Sequence, residues 1–298
     1  MKICSLITLF NPDVEKLTKN LNQILQYVDK VYLLVNSKEK LEQKFNIDLD
    51  KIEFIYNNKN LGLSKAFNIG LKKASSELFE LALLFDQDSF LDIENFNILL
   101  NQYNEIGKER NLICIGPLLT VYGKNLPIPK WNKNNTMPLP DDNAISVNSI
   151  ITSGMLLDIE KAIAVGGFNE DYPVDFCDFV FCWKSIFNGY EVYMSTKARI
   201  IHEIGNSNMS IGKHTIHFHA PYRHYFMVRD TLNIVFKLKE TPLKIRIRYL
   251  LLLPFREVLF FLKLDQKKER LSMYHKGFCD YVHNVHGYGS IAHLLGAE

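Results

Sequence analysis

Apolar residues in the first 120 positions form short continuous runs, separated by stretches with helical spacing. The continuous runs favour buried strands and cover residues 3–10, 31–35, 52–56, 78–85 and 112–121. Apolar residues recur every three or four positions over 17–28 and 61–74, which predicts amphipathic helices. Such strands and helices in alternation are typical of a parallel sheet covered on both faces. We therefore predict an α/β fold that binds ligands beyond the carboxyl ends of its strands.

Two carboxylates, Asp86 and Asp88, directly follow the apolar run 78–85. In an extended chain, residues i and i+2 point to the same side, with α-carbons about 6.5–7 Å apart. Carboxylates so placed can hold one divalent cation, and oxygen ligands favour Mg²⁺ or Mn²⁺. Alternatively, Asp and Ser in this stretch form a turn that caps the next helix. The spacing alone leaves both interpretations open.

The middle of the chain adds a loop, a strand and an acidic segment. Residues 123–143 contain four prolines and predict a long surface loop, of the kind that often binds ligand. The apolar run 150–157 predicts another strand, and a turn at 166–168 leads into the acidic segment 171–178. The first strand is not followed by GxGxxG, and GxxxxGK[ST] does not occur in the sequence. These absences argue against a dinucleotide-dependent oxidoreductase and a P-loop enzyme.

Positive charge is concentrated in residues 237–276, which contain eleven Lys or Arg and four Asp or Glu. The whole chain has a formal net charge of only +2, so no global field indicates nucleic acid as a partner. After Pro254, helical spacing predicts an apolar stripe beside a basic one. The apolar stripe comprises Phe255, Val258, Leu259 and Leu262, and the basic one Arg256, Lys263 and Lys267. This pattern favours binding to an anionic membrane surface over packing on the protein's own core or on the second subunit of a homodimer.

Five cysteines, odd in number and without a CxxC spacing, indicate reduced thiols. The first residues resemble a strand rather than a signal peptide, and no apolar stretch reaches the ~20 residues of a membrane span. We therefore expect a cytoplasmic protein that lies peripherally at the inner face of the cell membrane.

Seven motifs, taken together and in order, resemble the inverting glycosyltransferases of family 2. These enzymes have the GT-A fold, and the likeness is to their bacterial rhamnosyltransferase-like members. The motifs are LFNP at 9–12, NKNLGLSKAFNIGL at 58–71, FDQDS at 85–89, TSGMLL at 152–157, GGFNEDYPVDFCDF at 166–179, HEIG at 202–205 and PYRHYFMVRD at 221–230. The resemblance implies a GT-A domain over residues 1–235, followed by a basic, amphipathic helical region over 236–298.

The resemblance also implies roles for single residues. Asp86 and Gln87 would contact the donor, Asp88 and His202 would bind the metal, and Asp175 would act as general base. The remaining donor-binding residues would be Phe10, Asn11, Asn36, Leu61, Gly62 and Lys65. The acceptor side would contain Ser153, Gly154 and Asp178. By spacing alone, Asp175 is better explained as a helix cap, and only the resemblance favours catalysis.

The chain departs from the family pattern at several positions. Val180 and Lys184 stand where an acidic residue and an arginine are frequent, Val35 replaces an aspartate, and Arg229-Asp230 stands where Arg-Asn is usual. These differences bear on which donor sugar the protein uses more than on the reaction that it catalyses.

The resemblance implies transfer of L-rhamnose from dTDP-rhamnose to a lipid-linked or growing surface polysaccharide, with Mg²⁺ or Mn²⁺ as cofactor. A different nucleotide sugar such as a UDP-hexose is the first alternative. The second alternative is a nucleotidyltransferase. That class would carry a glycine-rich, basic phosphate loop after the first strand, and Leu9-Phe-Asn-Pro at this place is neither glycine-rich nor basic. A non-catalytic assembly module with the same fold is a third alternative.

Overall fold

The protein is described by a computed structural model. The described residues are 1–121, 124–128, 130, 132–134, 143–201, 208–211, 214–217, 220–263 and 265–298. His202, predicted as a metal ligand, lies outside them.

The first part of the chain alternates strands and helices, as its apolar pattern predicts. Its strands are β1 (Ile3–Leu9), β2 (Lys30–Val35), β3 (Ile52–Tyr56), β4 (Leu81–Asp86) and β5 (Leu112–Val121). Its helices are α1 (Val14–Ile24), α2 (Gly62–Ser76) and α3 (Ile93–Gly107). Asp13 and Asp92 cap α1 and α3 by accepting hydrogen bonds from backbone N–H groups of the first turn.

The second part adds shorter strands and further helices. The strands are β6 (Lys124–Asn125), β7 (Ala144–Ser146), β8 (Met155–Asp158), β9 (Glu191–Ile201), β10 (Asn208–Ile211) and β11 (His214–His217). The helices are α4 (Ile159–Ala164), α5 (Cys177–Phe187), α6 (Arg223–Phe236), α7 (Leu243–Lys263) and α8 (Lys267–Val282). One-turn and two-turn 3₁₀ helices occur at Glu42–Lys44 and Gly289–Leu295.

A mixed, mainly parallel sheet forms the centre of the fold. Its order is β3-β2-β1-β4-β8-β5-β9-β7, with β6 paired to β5. The first four strands are parallel, whereas β8 runs antiparallel to both of its neighbours. The carboxyl ends of β1, β2 and β4 therefore meet at one edge of the sheet.

Helices cover both faces of this sheet. On one face, Leu21 of α1 and Leu99 of α3 pack against Ile7 of β1 in one buried cluster. On the other face, Phe67 of α2 and Phe181 of α5 join Leu6 in a second cluster. This arrangement explains why the central strands are mostly apolar on both faces, and it confirms the predicted α/β class.

Two strands begin later than the apolar runs predict. The run over 78–85 begins as a strand only at Leu81, because Leu78 is exposed and adopts a positive φ of 62° after α2. The run over 150–157 begins as a strand at Met155, because Gly154 turns the chain with φ +80°. In both cases a local turn interrupts an apolar stretch, and hydrophobicity alone does not reveal it.

Helices α6, α7 and α8 form a group on one side of the sheet domain. Tyr225 and Phe226 of α6 share a buried cluster with Met273 of α8 and Ile291. The predicted boundary at 235/236 falls in the last turn of α6 and remains a prediction. Within the part of the chain that the structure describes, no helix has both the length and the apolarity that a bilayer span requires.

Candidate active site

A cleft of about 450 Å³ opens at the edge where β1, β2 and β4 end. Phe10 follows β1, Asn36 follows β2, and Asp86 is the last residue of β4. Asp88 is exposed at the same edge, two residues beyond Asp86. The cleft is lined by Thr8, Leu9, Phe10, Asn36, Asn60, Gly62, Leu63, Asp86, Gln87, Asp88, Pro173, Val174, Tyr222, Arg223, Tyr288 and Leu295.

Hydrogen bonds connect the residues at the ends of β1, β2 and β4 to one another and to nearby loops. The backbone N–H of Phe10 donates to Oε1 of Gln87 at 2.9 Å. Asn36 is buried, donates from Nδ2 to the carbonyl of Gly62 at 3.2 Å, and accepts from Nδ2 of Asn57 at 2.9 Å. Asn36 therefore positions the loop before α2 as well as lining the cleft.

Gly62 brings this loop against the acidic segment. It has φ +80°, and an added Cβ would lie 2.6 Å from Cβ of Pro173, so a larger residue would not fit. The N–H of Leu63 donates to the Pro173 carbonyl at 2.8 Å, and Ser64 Oγ donates to the Tyr172 carbonyl at 2.7 Å. Hydrogen bonds thus join the start of α2 directly to the acidic segment, although the two are distant in the sequence.

Three of the predicted donor residues do not line the cleft. Asn11 is exposed and has a positive φ of 49°. Leu61 directs its backbone N–H towards Oδ1 of Asn36 at 3.4 Å, and Lys65 forms an ion pair with Glu170 at 3.4 Å. Any contact of these residues with a donor remains a prediction.

A second cavity of about 380 Å³ adjoins the cleft. Leu63, Asp86, Val174 and Arg223 line both. The second cavity is also lined by Ile151, Thr152, Ser153, Asp175, Phe176, Cys177, Asp178, Phe179, Met227 and Tyr249. Because Asp86 belongs to both cavities, a molecule in the cleft and one in the second cavity would meet beside its carboxylate.

Ser153 connects the second cavity to the end of β4. Its hydroxyl donates to Oδ2 of Asp86 at 2.5 Å. Gly154 does not line the cavity, but it makes the turn that brings Ser153 there. Its N–H donates to the Leu84 carbonyl at 2.8 Å, and an added Cβ would lie 2.8 Å from Cγ of Pro117.

Asp175 forms an ion pair with Arg223 of α6, from Oδ1 to Nη2. Its other oxygen, Oδ2, is buried, and among the described residues no donor lies within hydrogen-bond distance of it. The chain turns directly after it at Phe176, which has φ 64°, a left-handed conformation that is uncommon for a bulky residue. One carboxylate oxygen is thus held by Arg223, while the other is buried without a hydrogen-bond partner among the described residues.

The sequence of this chain is similar to that of a known family and to that of one characterised relative. Residues 10–140 match the domain described as glycosyl transferase family 2. The dTDP-rhamnosyl transferase RfbF of Shigella flexneri is 26% identical over 256 residues, 83% of each chain. Both matches support the resemblance to glycosyl transferase family 2 that the sequence motifs indicate.

Solved structures share the fold of this chain. S. aureus TarS 1–349 in complex with UDP-GlcNAc superposes with a TM-score of 0.59 at 17% identity, covering 96% of this chain and 82% of TarS 1–349. GalNAc-T7 with UDP, GalNAc and Mn²⁺ gives a TM-score of 0.56 at 14% identity. That match covers 99% of this chain, which spans only 53% of the GalNAc-T7 chain. The chain therefore has the GT-A fold, as its sequence predicts.

Asp178 has a different environment from Asp175. It is the second residue of α5 and accepts a hydrogen bond from the N–H of Phe179 at 2.8 Å. Burial, together with the negative charges of Asp86 and Asp175, raises the pKa of Asp178 to about 7. Near neutral pH the carboxyl group of Asp178 can therefore either donate or accept a proton.

Arg223 lies within the motif at 221–230, but the sequence alone predicts no role for it. The same is true of four other residues that line the cleft, Asn60, Tyr222, Tyr288 and Leu295. The contacts of Arg223 with Asp175 and of Tyr288 with Asn60 span 48 and 228 positions. No local pattern in the sequence indicates such pairs.

Proposed function

We propose that this protein is a glycosyltransferase that transfers L-rhamnose from dTDP-rhamnose to a glycan or lipid-linked glycan, with inversion at the anomeric carbon. The observation that carries the proposal is the pair of joined cavities with Asp86 between them. The relationship to dTDP-rhamnosyl transferase RfbF supports the choice of donor. The donor would occupy the cleft at the ends of β1, β2 and β4, and the acceptor would occupy the second cavity.

Asp86 and Asp88 would hold a divalent cation. Both are hard oxygen donors at one edge of the cleft, and Mg²⁺ is commonly held by one or two carboxylates plus substrate phosphates. Mn²⁺ in the GalNAc-T7 complex supports this assignment. The bound ion would stabilise negative charge on the departing diphosphate. Among the described residues no group of three or more His, Cys, Asp or Glu forms a metal site, and His202 remains a predicted further ligand.

Asp175 would act as the general base. The acceptor oxygen would form a bond to the anomeric carbon while the bond from that carbon to the diphosphate breaks. The hydroxyl proton would pass to the Asp175 carboxylate, which lines the second cavity, and the diphosphate would leave with the bonding electrons. Arg223 would keep the carboxylate oriented through Oδ1. A single displacement of this kind inverts the anomeric configuration.

Asp178 and Ser153 would serve the acceptor side. Asp178 faces the second cavity and, when protonated, can donate a hydrogen bond to an acceptor oxygen. Ser153 would orient Asp86 through its hydrogen bond to Oδ2. A second candidate for the general base is Asp178 itself, because its raised pKa suits proton transfer near neutral pH.

Helix α7 would place the enzyme at an anionic membrane surface. Tyr249 of α7 lines the second cavity, while Leu251, Phe255 and Val258 are 69%, 68% and 60% exposed. Isolated apolar residues are common on surfaces, but a helix that exposes several beside Lys244 is typical of interfacial binding. The side chains of Leu259 and Leu262 lie outside the described set. A lipid-linked acceptor could reach the cavity beside Tyr249.

A donor screen tests the proposal. Purified enzyme is incubated with dTDP-rhamnose, UDP-glucose, UDP-GlcNAc or GDP-mannose and Mn²⁺, and nucleoside diphosphate release and product anomer are measured. We expect dTDP release, with inversion in the glycosylated product. Preferential release of UDP would show that the donor is a UDP-sugar and not dTDP-rhamnose. Retention of the anomeric configuration would contradict the single displacement.

A further inference from the structure

Segment 288–296, which includes the 3₁₀ helix Gly289–Leu295, contacts the loop before α2. The N–H of Asn60 donates to the Gly296 carbonyl at 2.9 Å, and its Nδ2 donates to the Leu295 carbonyl at 3.1 Å. The hydroxyl of Tyr288 donates to Oδ1 of Asn60 at 2.7 Å. Three hydrogen bonds therefore join one asparagine of the cleft to residues more than 220 positions away.

Segment 288–296 also forms part of the cleft itself. Tyr288 and Leu295 line it together with Asn60 and Gly62. Oδ1 of Asn60 also accepts from the N–H of Gly62 at 3.1 Å, and Gly62 is bonded to Asn36 at the end of β2. The segment is thus connected to the β2 side of the cleft, whereas Asp86 lies at the end of β4.

The segment is anchored in the folded core. Ile291 is fully buried, and the Tyr288 ring meets the Phe226 ring edge-on at 6.0 Å between centroids. The N–H of Ser290 donates to Oδ2 of Asp280 at 2.8 Å, and Tyr225 donates to the same oxygen. These contacts give the segment the fixed position that a binding wall requires.

A buried arginine joins this wall to the acidic segment. Arg229 of α6 is fully buried, and its guanidinium donates to the carbonyls of Gly287 and Asp171, at 2.5 and 3.2 Å. The same side chain is paired with Asp230 at 2.7 Å. The wall of segment 288–296 and the segment that carries Asp175 are therefore held by one buried group.

We propose that Tyr288 and Leu295 bind the nucleoside of the donor, and that Asn60 positions them. The inference rests on the proposed use of a nucleotide sugar. A pyrimidine base has an apolar face that packs on aromatic and aliphatic side chains, and base–aromatic contact is a common source of affinity. The wall lies on the β2 side, and the carboxylates proposed to serve the diphosphate lie towards β4. A donor extended along the sheet edge would therefore present its nucleoside to Tyr288 and Leu295.

Direct binding of dTDP, UDP and GDP by calorimetry tests this inference without requiring turnover. Leu295→Ala is compared with Leu294→Ala, a neighbour that is 50% exposed and does not line the cleft. We expect Leu295→Ala to weaken dTDP binding about tenfold, and Leu294→Ala to bind as the unmodified protein does. Tyr288→Phe, which keeps the ring but removes the hydrogen bond to Asn60, should weaken it about fivefold. In turnover, KM for the donor should rise in Leu295→Ala while kcat changes less.

Thermal unfolding without ligand checks that each variant is folded before binding is compared. If a folded Leu295→Ala variant binds the nucleotide as tightly as Leu294→Ala, the inference is wrong while the proposed function stands. If the unmodified enzyme prefers UDP, the proposed donor is wrong, and the same variants test the wall with UDP. If the unmodified enzyme binds no nucleoside diphosphate, both proposals fail.

Discussion

Arg223 holds one oxygen of the Asp175 carboxylate in an ion pair, while the other oxygen is buried at the second cavity. A general base needs such a fixed orientation, because proton transfer depends on hydrogen-bond geometry as well as on pKa. The pair also joins α6 to the acidic segment, so the base would be positioned by a helix far away in the sequence.

Replacement of Asp175 by Asn should lower kcat by about 10²–10⁴, because the amide cannot accept the acceptor proton. Donor affinity, measured as dTDP binding, should change little. Asp171→Asn is the matched control, since Asp171 lies in the same segment but is half exposed and contacts His286. A kcat that survives in Asp175→Asn but collapses in Asp178→Asn would assign the base to Asp178 instead.

Loss of Arg223 should reduce kcat less than loss of Asp175. In Arg223→Gln the carboxylate loses the group that fixes Oδ1, so we expect kcat to fall about tenfold, the effect of about 1.4 kcal/mol in the barrier. Arg223→Lys should recover part of the loss, because it restores the charge without the planar guanidinium. Steady-state kinetics on both variants measure this, and equal activity of Arg223→Gln and unmodified enzyme would exclude the positioning role.

The raised pKa of Asp178 predicts a pH-dependent stability. Between its ordinary pKa near 4 and about 7 the folded protein binds a proton that the unfolded chain has lost, so unfolding free energy falls as pH rises. Above pH 7 the destabilisation is complete. Asp178→Asn should therefore be more stable than the unmodified protein at pH 8, by on the order of 1–2 kcal/mol after allowance for partial exposure.

At pH 4 most of this difference should disappear, because Asp178 is then protonated in the folded protein and about half protonated in the unfolded chain. Urea unfolding at both pH values, without added metal, measures the difference. A stability gain of the same size at pH 4 and pH 8 would show that the effect is not due to ionisation.

Removal of divalent metal should abolish transfer. Dialysis against chelator should stop nucleoside diphosphate release, and Mn²⁺ or Mg²⁺ should restore it. Asp88→Asn should raise the metal concentration needed for half-maximal activity, whereas Glu94→Gln, in the first turn of α3, should not. Full activity in chelator would exclude the metal role proposed for Asp88.

Substitution of the exposed apolar face of α7 should weaken membrane binding. Phe255→Glu should lower co-sedimentation with vesicles of phosphatidylglycerol and phosphatidylethanolamine, because burying a carboxylate in the headgroup region is unfavourable. Phe187→Glu is the control, since Phe187 is equally exposed, at 67%, at the end of α5. If the two variants and the unmodified protein sediment alike, the face of α7 does not bind membrane.

The sequence predicted most closely those features that depend on local patterns. Strands β1, β2 and β4 are mostly apolar because helices cover both faces, and this pattern also located Asp86 at the carboxyl edge of the sheet. Features that depend on long-range contacts were not predictable in this way. Arg223 and Tyr288 look like ordinary helix and turn residues until the fold brings them to Asp175 and Asn60. The turns at Leu78 and Gly154 were hidden within apolar runs.

The hydrogen bonds between Asn60 and residues near position 296 have a consequence for biosynthesis. Long-range contacts of this kind form late, because loop closure must precede them. During translation, the sheet that carries Asp86 can emerge and fold well before Leu295 leaves the ribosome. A nascent chain would then have its carboxylates in place before the proposed nucleoside-binding segment 288–296, so capture of nucleotide sugar would begin only after that segment has emerged.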